Sequence, residues 1–254
     1  MKLAIGGFDG MHYAHQKLFS KSDEILVIEK NSTITPLTTR CEYTALNCNF
    51  YNLDKIKHLT HLEFIEKLKK EFNPKEIIIG YDFRFGKNRI GSPETLKKHF
   101  KVTIIDEIKI DNIGVHSKTI RKFIKNAEIK KANQFLNHTY KIKASQIKGQ
   151  GIGKEKLLPT INLKPIYNYT IPKNGVYLTL LNKKPSITFI GNRSTDNNFS
   201  IETHLLDKEI KNDIYDLEFL QFLRENQKFN SLESLKKAII IDKQKAINYF
   251  KGIK

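Results

Sequence analysis

The chain has 254 residues, of which 39% are hydrophobic, and this suits one large or two ordinary globular domains. No apolar run approaches the length of a membrane span, and the sequence opens on a strand pattern without a signal peptide. We therefore expect a cytoplasmic protein with no membrane partner. The two cysteines, Cys41 and Cys48, lack metal-ligand spacing and are predicted to be reduced packing residues.

The formal net charge is +17, which suits nucleic acid, an acidic membrane surface or polyanionic small ligands. Lysines are spread over predicted helix faces, whereas nucleic-acid binders concentrate their charge on one face. We therefore expect small-molecule partners and no nucleic acid. Only six of the 44 basic residues are arginines, which grip phosphate at two points. All but Arg40 lie in segments singled out as motifs, with Arg193 in IGNRST at residues 190–195.

The first half of the chain alternates strand and helix patterns, which is typical of a parallel sheet. Buried strands are predicted at residues 2–5, 25–28, 76–80 and 102–105. Thr60 and Glu63 form a capping box that begins a helix over residues 61–72. Residues 31–44 are polar and are predicted to form a loop.

Residues 3–16, LAIGGFDGMHYAHQ, predict a strand that runs directly into a helix. Gly7 and Gly10 let the backbone pass close to a ligand. His12 and His15 are three residues apart and would share one face of the first helical turn, where free N–H groups attract anions. The stretch therefore predicts a phosphate site with two added imidazole donors.

The loop after the strand at 76–80, YDFRFGKNRIG, carries two aromatic residues that alternate with an arginine. Ligands bind beyond the carboxyl ends of the strands in open parallel sheets, so we expect this loop beside His12 and His15. Alternate residues point in opposite directions, so one of Phe83 and Phe85 can lie in the core while the other contacts a ligand.

From Tyr140 onward the hydrophobic period is two, which indicates strands. Strands are predicted at residues 175–181, 186–191, 199–206 and 216–223, followed by a helix over 231–250. Many short strands with polar turns indicate a small antiparallel barrel. Residues 126–137 are predicted to form a helical bridge before it.

Between the first strands of this half, the segment GQGIGKEKLLPTINL is rich in glycine. Such a flexible flap can offer backbone N–H groups to phosphates, here from Gly149, Gly151 and Gly153. Lys154 is also predicted to bind the nucleotide. The Gly-Lys-Ser/Thr ending of a Walker loop is absent, so the segment is not a P-loop.

These motifs resemble, in order and along almost the whole chain, those of the bacterial bifunctional riboflavin kinase/FAD synthetases. GGFDGMHYAH resembles the nucleotidyltransferase signature Gly-x-Phe-Asp-Gly-x-His-x-Gly-His, with Ala14 at the last glycine. VHSKTIR resembles Ile-Ser-Ser-Thr-x-Ile-Arg, with His116 and Lys118 as departures. PTIN resembles the Pro-Thr-Ala-Asn signature of riboflavin kinases.

The resemblance implies two domains. Residues 1–137 would form an α/β nucleotidyltransferase domain, Rossmann-like with a parallel sheet, that adenylylates FMN to FAD and releases pyrophosphate. Residues 138–254 would form an antiparallel six-stranded Greek-key β-barrel with a C-terminal helix that phosphorylates riboflavin to FMN. The implied substrates are ATP, riboflavin and FMN, and the implied cofactor is Mg²⁺.

The resemblance also suggests residue roles in the first domain. We assign His12 and His15 to the ATP phosphates, and Ser117 and Arg121 to the departing pyrophosphate. Asp9 would hold the turn or the nucleotide. The other residues predicted to bind nucleotide or flavin in this domain are Gly7, Phe8, Gly10, Asp82, Phe83, Phe85 and Gly86.

In the second domain the resemblance implies a metal and nucleotide site. Thr160 and Asn162 would organise Mg²⁺ and the ATP phosphates, a suitable use of oxygen donors for a hard ion. Glu202 matches the general base of the family, which takes the proton from the 5′-hydroxyl of riboflavin. Arg224, in FLRxxxKF, also matches the kinase pattern and is predicted to bind substrate.

Two alternatives stay open at this stage. The changes at Ala14, His116 and Lys118, together with a short loop after Ile28, allow a riboflavin kinase whose nucleotidyltransferase domain is weak or repurposed. A basic RNA-binding protein would explain the charge, but it would not explain Glu202 or the paired histidines.

Overall fold

The computed structural model describes residues 1–148, 159–192, 198–207 and 212–252. The chain forms two compact units, and each has its own sheet and hydrophobic core. The first unit consists of Met1–Ile120 with Phe135–Asn137, and the second of Arg121–Gln134 with His138–Lys254.

The first unit is built on a parallel five-stranded sheet with the order β3-β2-β1-β4-β5. Its strands are β1 (Lys2–Gly6), β2 (Glu24–Glu29), β3 (Asn47–Asn52), β4 (Glu76–Gly80) and β5 (Lys101–Ile105). The sequence patterns predict four of these strands and miss β3. This strand, NCNFYN, lies at the edge of the sheet and is only partly buried, so no apolar run marks it.

Helices cover the connections of this part of the chain. They are α1 (Tyr13–Phe19), α2 (Leu53–Ile56), α3 (His61–Phe72), α4 (Pro93–Lys97), α5 (Ser117–Lys125) and α6 (Ile129–Leu136). The predicted capping box begins α3, because Thr60 Oγ1 accepts from the N–H of Glu63 and the N–H of Thr60 donates to Glu63 Oε2.

Smaller elements complete the first unit. A two-stranded ribbon joins β6 (Lys109–Ile110) to β7 (Ile113–Gly114), and short 3-10 helices lie at Leu37–Tyr43 and Lys87–Arg89. The segment predicted as a loop therefore contains a helical turn. Cys41, within it, is a free thiol, as predicted.

The strand order creates a crevice between β1 and β4. These strands are hydrogen-bonded neighbours, although β2 and β3 lie between them in the sequence. The direction of winding reverses there, and ligands bind outside the carboxyl ends of strands at such a reversal. The turn after Gly6 and the loop after Gly80 both begin at this point.

The second unit contains a closed antiparallel barrel with the order β10-β11-β12-β9-β8-β13. Its strands are β8 (Tyr140–Ile147), β9 (Ile161–Pro165), β10 (Gly175–Leu181), β11 (Lys184–Asn192), β12 (Phe199–Leu205) and β13 (Ile214–Arg224), and it is followed by the helix α7 (Leu232–Lys251). The predicted fold class, a parallel α/β unit followed by a six-stranded barrel and a terminal helix, is confirmed.

The barrel interior is both apolar and hydroxyl-lined. Tyr140 lies inside with Ile142 and Ala144, as the period of two predicts. A chain of buried hydroxyls crosses the neighbouring strands. Thr179 Oγ1 lies 2.8 Å from Thr188 Oγ1, which lies 2.9 Å from Thr203 Oγ1. Because these groups satisfy one another, they can be buried without the cost of unpaired polar atoms.

The outer face of the barrel packs against α7. Val176 and Leu178 of β10 and Ile187 of β11 form a core with Ala246 of the helix. The helix itself is capped by Ser231, whose side chain accepts from the N–H of Ser234. Within the described ranges, no helix combines the length and apolarity needed to cross a lipid bilayer.

The close approach of Gly86 to the start of α3 can be tested by substitution. Gly86 has φ +71°, and a Cβ atom there would lie 2.7 Å from the backbone nitrogen of His61. We expect Gly86→Ala to lower the free energy of unfolding by about 2–4 kcal/mol, because strain and overlap add.

Gly7→Ala is the matched control. Its Cβ would meet the carbonyl oxygen of Ile28 at 3.7 Å, an ordinary contact. This variant should change stability by less than about 0.5 kcal/mol in urea unfolding. Equal stability of the two variants would contradict the close packing of Gly86 against His61.

Candidate active sites

The turn after β1 is tightly constrained. Phe8, Gly10 and Met11 have φ values of 50°, 87° and 44°, so the backbone enters the left-handed region three times between β1 and α1. Gly10 adopts such a conformation without strain, whereas Phe8 and Met11 need support from their surroundings. Both of their side chains are buried in the core. Phe8, predicted to bind nucleotide or flavin, therefore lies beneath the turn.

The carboxylate of Asp9 holds this turn to the next loop. Asp9 Oδ1 accepts from the backbone N–H groups of Ile34 at 2.9 Å and Thr35 at 3.0 Å, and Oδ2 accepts from Thr33 at 3.3 Å. In return, the N–H of Gly10 donates to Thr35 Oγ1 at 2.7 Å. Of the two predicted roles for Asp9, these contacts support holding the turn.

His12 and His15 form a stacked pair at the start of α1. Their ring centroids are 3.5 Å apart with planes 20° from parallel. His12 is the residue preceding the helix and is 4% exposed, and His15 is the third helical residue. The ring of Phe8 meets His15 edge-on at 5.2 Å. The predicted shared face is present, although only His15 lies within the helix.

The surroundings of His15 favour its neutral form. Burial is the largest cause that lowers its pKa well below the ordinary value of 6.5. The charges of His12, Arg40 and His116 lower it further. A neutral imidazole has one N–H donor and one acceptor, so the pair can hydrogen-bond to a phosphate without the repulsion of two stacked cations.

Arg40 is a residue of this site that the motifs miss. It is fully buried in the 3-10 helix at Leu37–Tyr43 and forms an ion pair with Glu29. Its Nε and Nη2 atoms are buried and have no hydrogen-bond partner among the described residues. A buried charge with one partner is costly, so its field acts strongly on nearby groups. The available sequence signal is that Arg40 is the arginine outside every motif.

A cleft of about 570 Å³ opens at the carboxyl ends of β2 and β3. Its wall is largely apolar and aromatic, with polar groups at Glu29 and two lysines. The lining residues are Glu29, Leu37, Thr38, Phe50, Tyr51, Asn52, Lys55, Ile56, Leu59 and Lys67. Apolar clefts with a few polar groups are typical of small-molecule sites. Glu29 connects this cleft to Arg40.

The loop after β4 is tied into a tight turn. The N–H of Phe85 donates to the carbonyl of Gly91 at 3.1 Å, and the reverse bond is 3.0 Å. Phe85 is buried against Phe64, and Phe83 is half-buried and stacks on Phe85 at 5.8 Å. The expectation that the two rings point in opposite directions is wrong. Asp82 is exposed and available to a ligand.

The segment that precedes α5 touches the turn directly. Ser117 Oγ donates to the carbonyl of Asp9 at 2.7 Å. His116, which departs from the family motif, lies 3.0 Å from Glu107 Oε1. Arg121 follows Ser117 by one helical turn and is half-buried. The structure therefore joins Ser117 to the Asp9 turn.

In the second unit, Glu202 lies on the outer face of the barrel. Its Oε1 accepts from Ser200 Oγ at 2.9 Å. Glu202 is paired in register with Asn162 of β9 on one side and Phe189 of β11 on the other. Glu202, Asn162 and Thr160 are all half-buried. A carboxylate and an amide are thus cross-strand neighbours on the outer face of the barrel, and Thr160 lies two residues before Asn162 in sequence.

Arg224, which is predicted to bind substrate, forms an ion pair with Asp242 in this structure. Its Nε lies 3.0 Å from both carboxylate oxygens of Asp242 in α7, and its Nη2 lies 2.7 Å from Oδ2. This bidentate pair fastens β13 to the helix. The predicted phosphate contacts Gly149, Gly151, Gly153 and Lys154 lie outside the described residues.

Comparisons with known proteins find two family models along the chain. A riboflavin kinase family model matches residues 136–250, and an FAD synthetase family model matches residues 40–122. The bifunctional riboflavin kinase/FMN adenylyltransferase of Buchnera aphidicola subsp. Acyrthosiphon pisum is 31% identical, over 98% of this chain and 94% of that protein. The protein of the same name from Listeria monocytogenes is 26% identical, over 98% of this chain and 92% of that protein.

A solved structure supports the fold. A crystal structure described as a macrolide-efflux protein from Streptococcus pneumoniae has a TM-score of 0.86 and 22% identity. The match covers 97% of this chain and 93% of that one. At this identity the likeness extends to the fold alone.

The lowered pKa of His15 predicts a pH dependence of stability. The unfolded chain binds a proton at the ordinary value of 6.5, whereas the folded chain resists it. Stability of the first unit should therefore be fully present above pH 6.5 and fall as the pH drops from 6.5 toward the lowered pKa of His15.

His15→Gln should flatten this dependence in urea unfolding measured from about pH 8 to about pH 5. His58→Gln, at an exposed histidine, is the control and should keep the slope of the wild type. If both variants retain the wild-type slope, His15 is not its source.

Proposed function

This chain belongs to the family of bifunctional riboflavin kinase/FMN adenylyltransferases, and we propose that its two reactions take place in two separate sequence ranges, 1–137 and 138–254. The enzyme phosphorylates riboflavin to FMN with ATP and adenylylates FMN to FAD with release of pyrophosphate. The observation that carries the assignment is that each range holds the side chains its reaction needs: the stacked His12–His15 pair in the first, and Glu202 beside Asn162 in the second.

The adenylyltransferase needs alignment rather than a covalent nucleophile. A phosphate oxygen of FMN attacks the α-phosphorus of ATP, and the bond to pyrophosphate breaks. His12 and His15 would donate to the phosphate oxygens on which charge builds, and Arg40 would add positive potential beneath them. Ser117 and Arg121 would hold the departing pyrophosphate.

The cleft at the ends of β2 and β3 suits the flavin of this reaction. Its aromatic and apolar walls match a planar ring system, and Lys55 and Lys67 match an anionic phosphate. Asp82 and Phe83 would complete the flavin or nucleotide contacts from the neighbouring loop. This placement puts the flavin and the nucleotide on the same edge of the sheet.

The kinase needs a base. Glu202 would take the proton from the 5′-hydroxyl of riboflavin as that oxygen attacks the γ-phosphorus of ATP, and ADP leaves. The bond from Ser200 Oγ holds one carboxylate oxygen, Oε1. The other oxygen remains available to accept the proton.

Mg²⁺ is the cofactor we propose for this site. The described residues contain no cluster of three or more His, Cys, Asp or Glu side chains that could hold a metal alone. Thr160 and Asn162 would instead supply hydroxyl and amide oxygens, which fits a hard ion that shares its remaining ligands with ATP phosphates and water. When bound, the ion would neutralise charge on the phosphates.

One assay tests the whole proposal and its alternatives. Purified protein incubated with riboflavin, ATP and Mg²⁺ should form FMN and then FAD. FMN alone would indicate a kinase with a repurposed first domain, as the changes at Ala14, His116 and Lys118 allow. Neither product, together with strongly salt-dependent RNA binding, would indicate an RNA-binding protein.

His15→Ala tests the first site. We expect FAD formation from FMN to fall by about a hundredfold or more, because a donor to the reacting phosphate is lost. FMN formation from riboflavin should be unchanged and controls for enzyme concentration, while urea unfolding checks that the first unit is folded. The flavins are separated and quantified by chromatography. Unchanged FAD output would refute the assignment of His15.

Glu202→Gln tests the second site. The amide keeps the shape of the carboxylate but does not accept the proton, so kcat for riboflavin phosphorylation should fall by about a hundredfold or more. Binding of riboflavin and ATP should stay within about threefold, since the base acts in the transition state. Near-normal phosphorylation would exclude Glu202 as the base, and FAD formation from supplied FMN serves as the control.

A further inference from the structure

His204 joins the two strands that carry the kinase residues. It lies on β12 two residues after Glu202, so both side chains emerge on the same outer face. Its Nδ1 atom lies 2.8 Å from the carbonyl oxygen of Pro159. Pro159 immediately precedes Thr160, which, with Asn162, forms the proposed metal and nucleotide contact.

The backbone pairing of β12 with β9 ends before it reaches Pro159. The ladder between β12 and β9 pairs Glu202 with Asn162 and Thr203 with Ile161, which is the first residue of β9. Proline has no N–H, so Pro159 cannot donate to continue the ladder. The side chain of His204 therefore takes over at the point where the strand pairing ends.

The chemistry of the bond fixes the form of the ring. A carbonyl oxygen only accepts, so Nδ1 carries a proton. Burial lowers the pKa of His204, which favours the neutral ring with a lone pair on Nε2. Nε2 is buried and has no hydrogen-bond partner among the described residues. A small cleft of about 220 Å³ adjoins this contact, lined in part by Pro159, His204 and Lys243 of α7.

We propose that His204 is a positioning residue of the kinase site, which fixes the entry into β9 through the carbonyl of Pro159 and thereby presents Thr160 and Asn162 to magnesium-bound ATP. This inference rests on the proposed kinase function. It assigns His204 no contact with the reacting atoms, so its loss weakens nucleotide binding more than it slows the chemical step.

The test compares His204→Leu with His204→Asn. Leucine removes the donor, whereas the amide nitrogen of asparagine stands as far from the backbone as Nδ1 and can donate to the same carbonyl. We expect His204→Leu to weaken binding of magnesium-ADP about tenfold by titration calorimetry and to raise KM for ATP about as much. Its kcat and KM for riboflavin should change by less than about threefold.

His204→Asn should restore both the affinity and KM to within about twofold of the wild type. The unchanged kcat and KM for riboflavin report that the barrel is folded, and FAD formation from supplied FMN should be unaffected in both variants. Wild-type affinity in His204→Leu, or equal loss in the two variants, would overturn the role of His204. A wild-type protein that forms no FMN would instead overturn the kinase function itself.

Discussion

The carboxylate of Asp9 is the constraint on which the first site depends. Three backbone N–H groups, from Thr33 to Thr35, converge on it, and its own carbonyl accepts from Ser117. One residue thus joins the turn after β1, the loop after β2 and the start of α5. The left-handed backbone of Phe8 and Met11 persists because these contacts fix the chain on either side. The position of the histidine pair follows from this turn.

Arg40, in the segment that follows this loop, acts electrostatically on His15. A stacked pair of imidazoles 3.5 Å apart is stable only if at least one ring is neutral. Burial and the charge of Arg40 both lower the pKa of His15, so the site keeps that ring neutral while Arg40 supplies the positive potential. The ion pair with Glu29 limits the cost of burying the guanidinium. Charge and hydrogen-bond donors are therefore carried by different side chains.

Elements whose pattern is set by burial are predictable from this sequence. The central strands β1, β2 and β4 are examples, because runs of buried apolar side chains mark them. The alternation that begins at Tyr140 is another, because every second side chain there faces the core. The edge strand Asn47–Asn52 is polar and gives no such signal. The burial of Arg40 beside Glu29 depends on a contact between separate segments, which local patterns do not encode. The stacking of Phe83 on Phe85 is local, since residues two apart in an extended segment share a face. Motif resemblance, rather than periodicity, indicated Glu202.

The filled interior of the barrel limits where phosphoryl transfer can take place. Tyr140, Ile142 and the threonine hydroxyl chain fill the interior, so substrates must bind outside it. On the outer face, Glu202 stands in register between Phe189, which packs toward α7, and Asn162. The aromatic side suits a flavin ring and the amide side suits phosphates. With Glu202 as the proposed base, the hydroxyl of one substrate would meet the terminal phosphate of the other between these two sides, and the order of the three residues across three strands would match the order of the reacting groups.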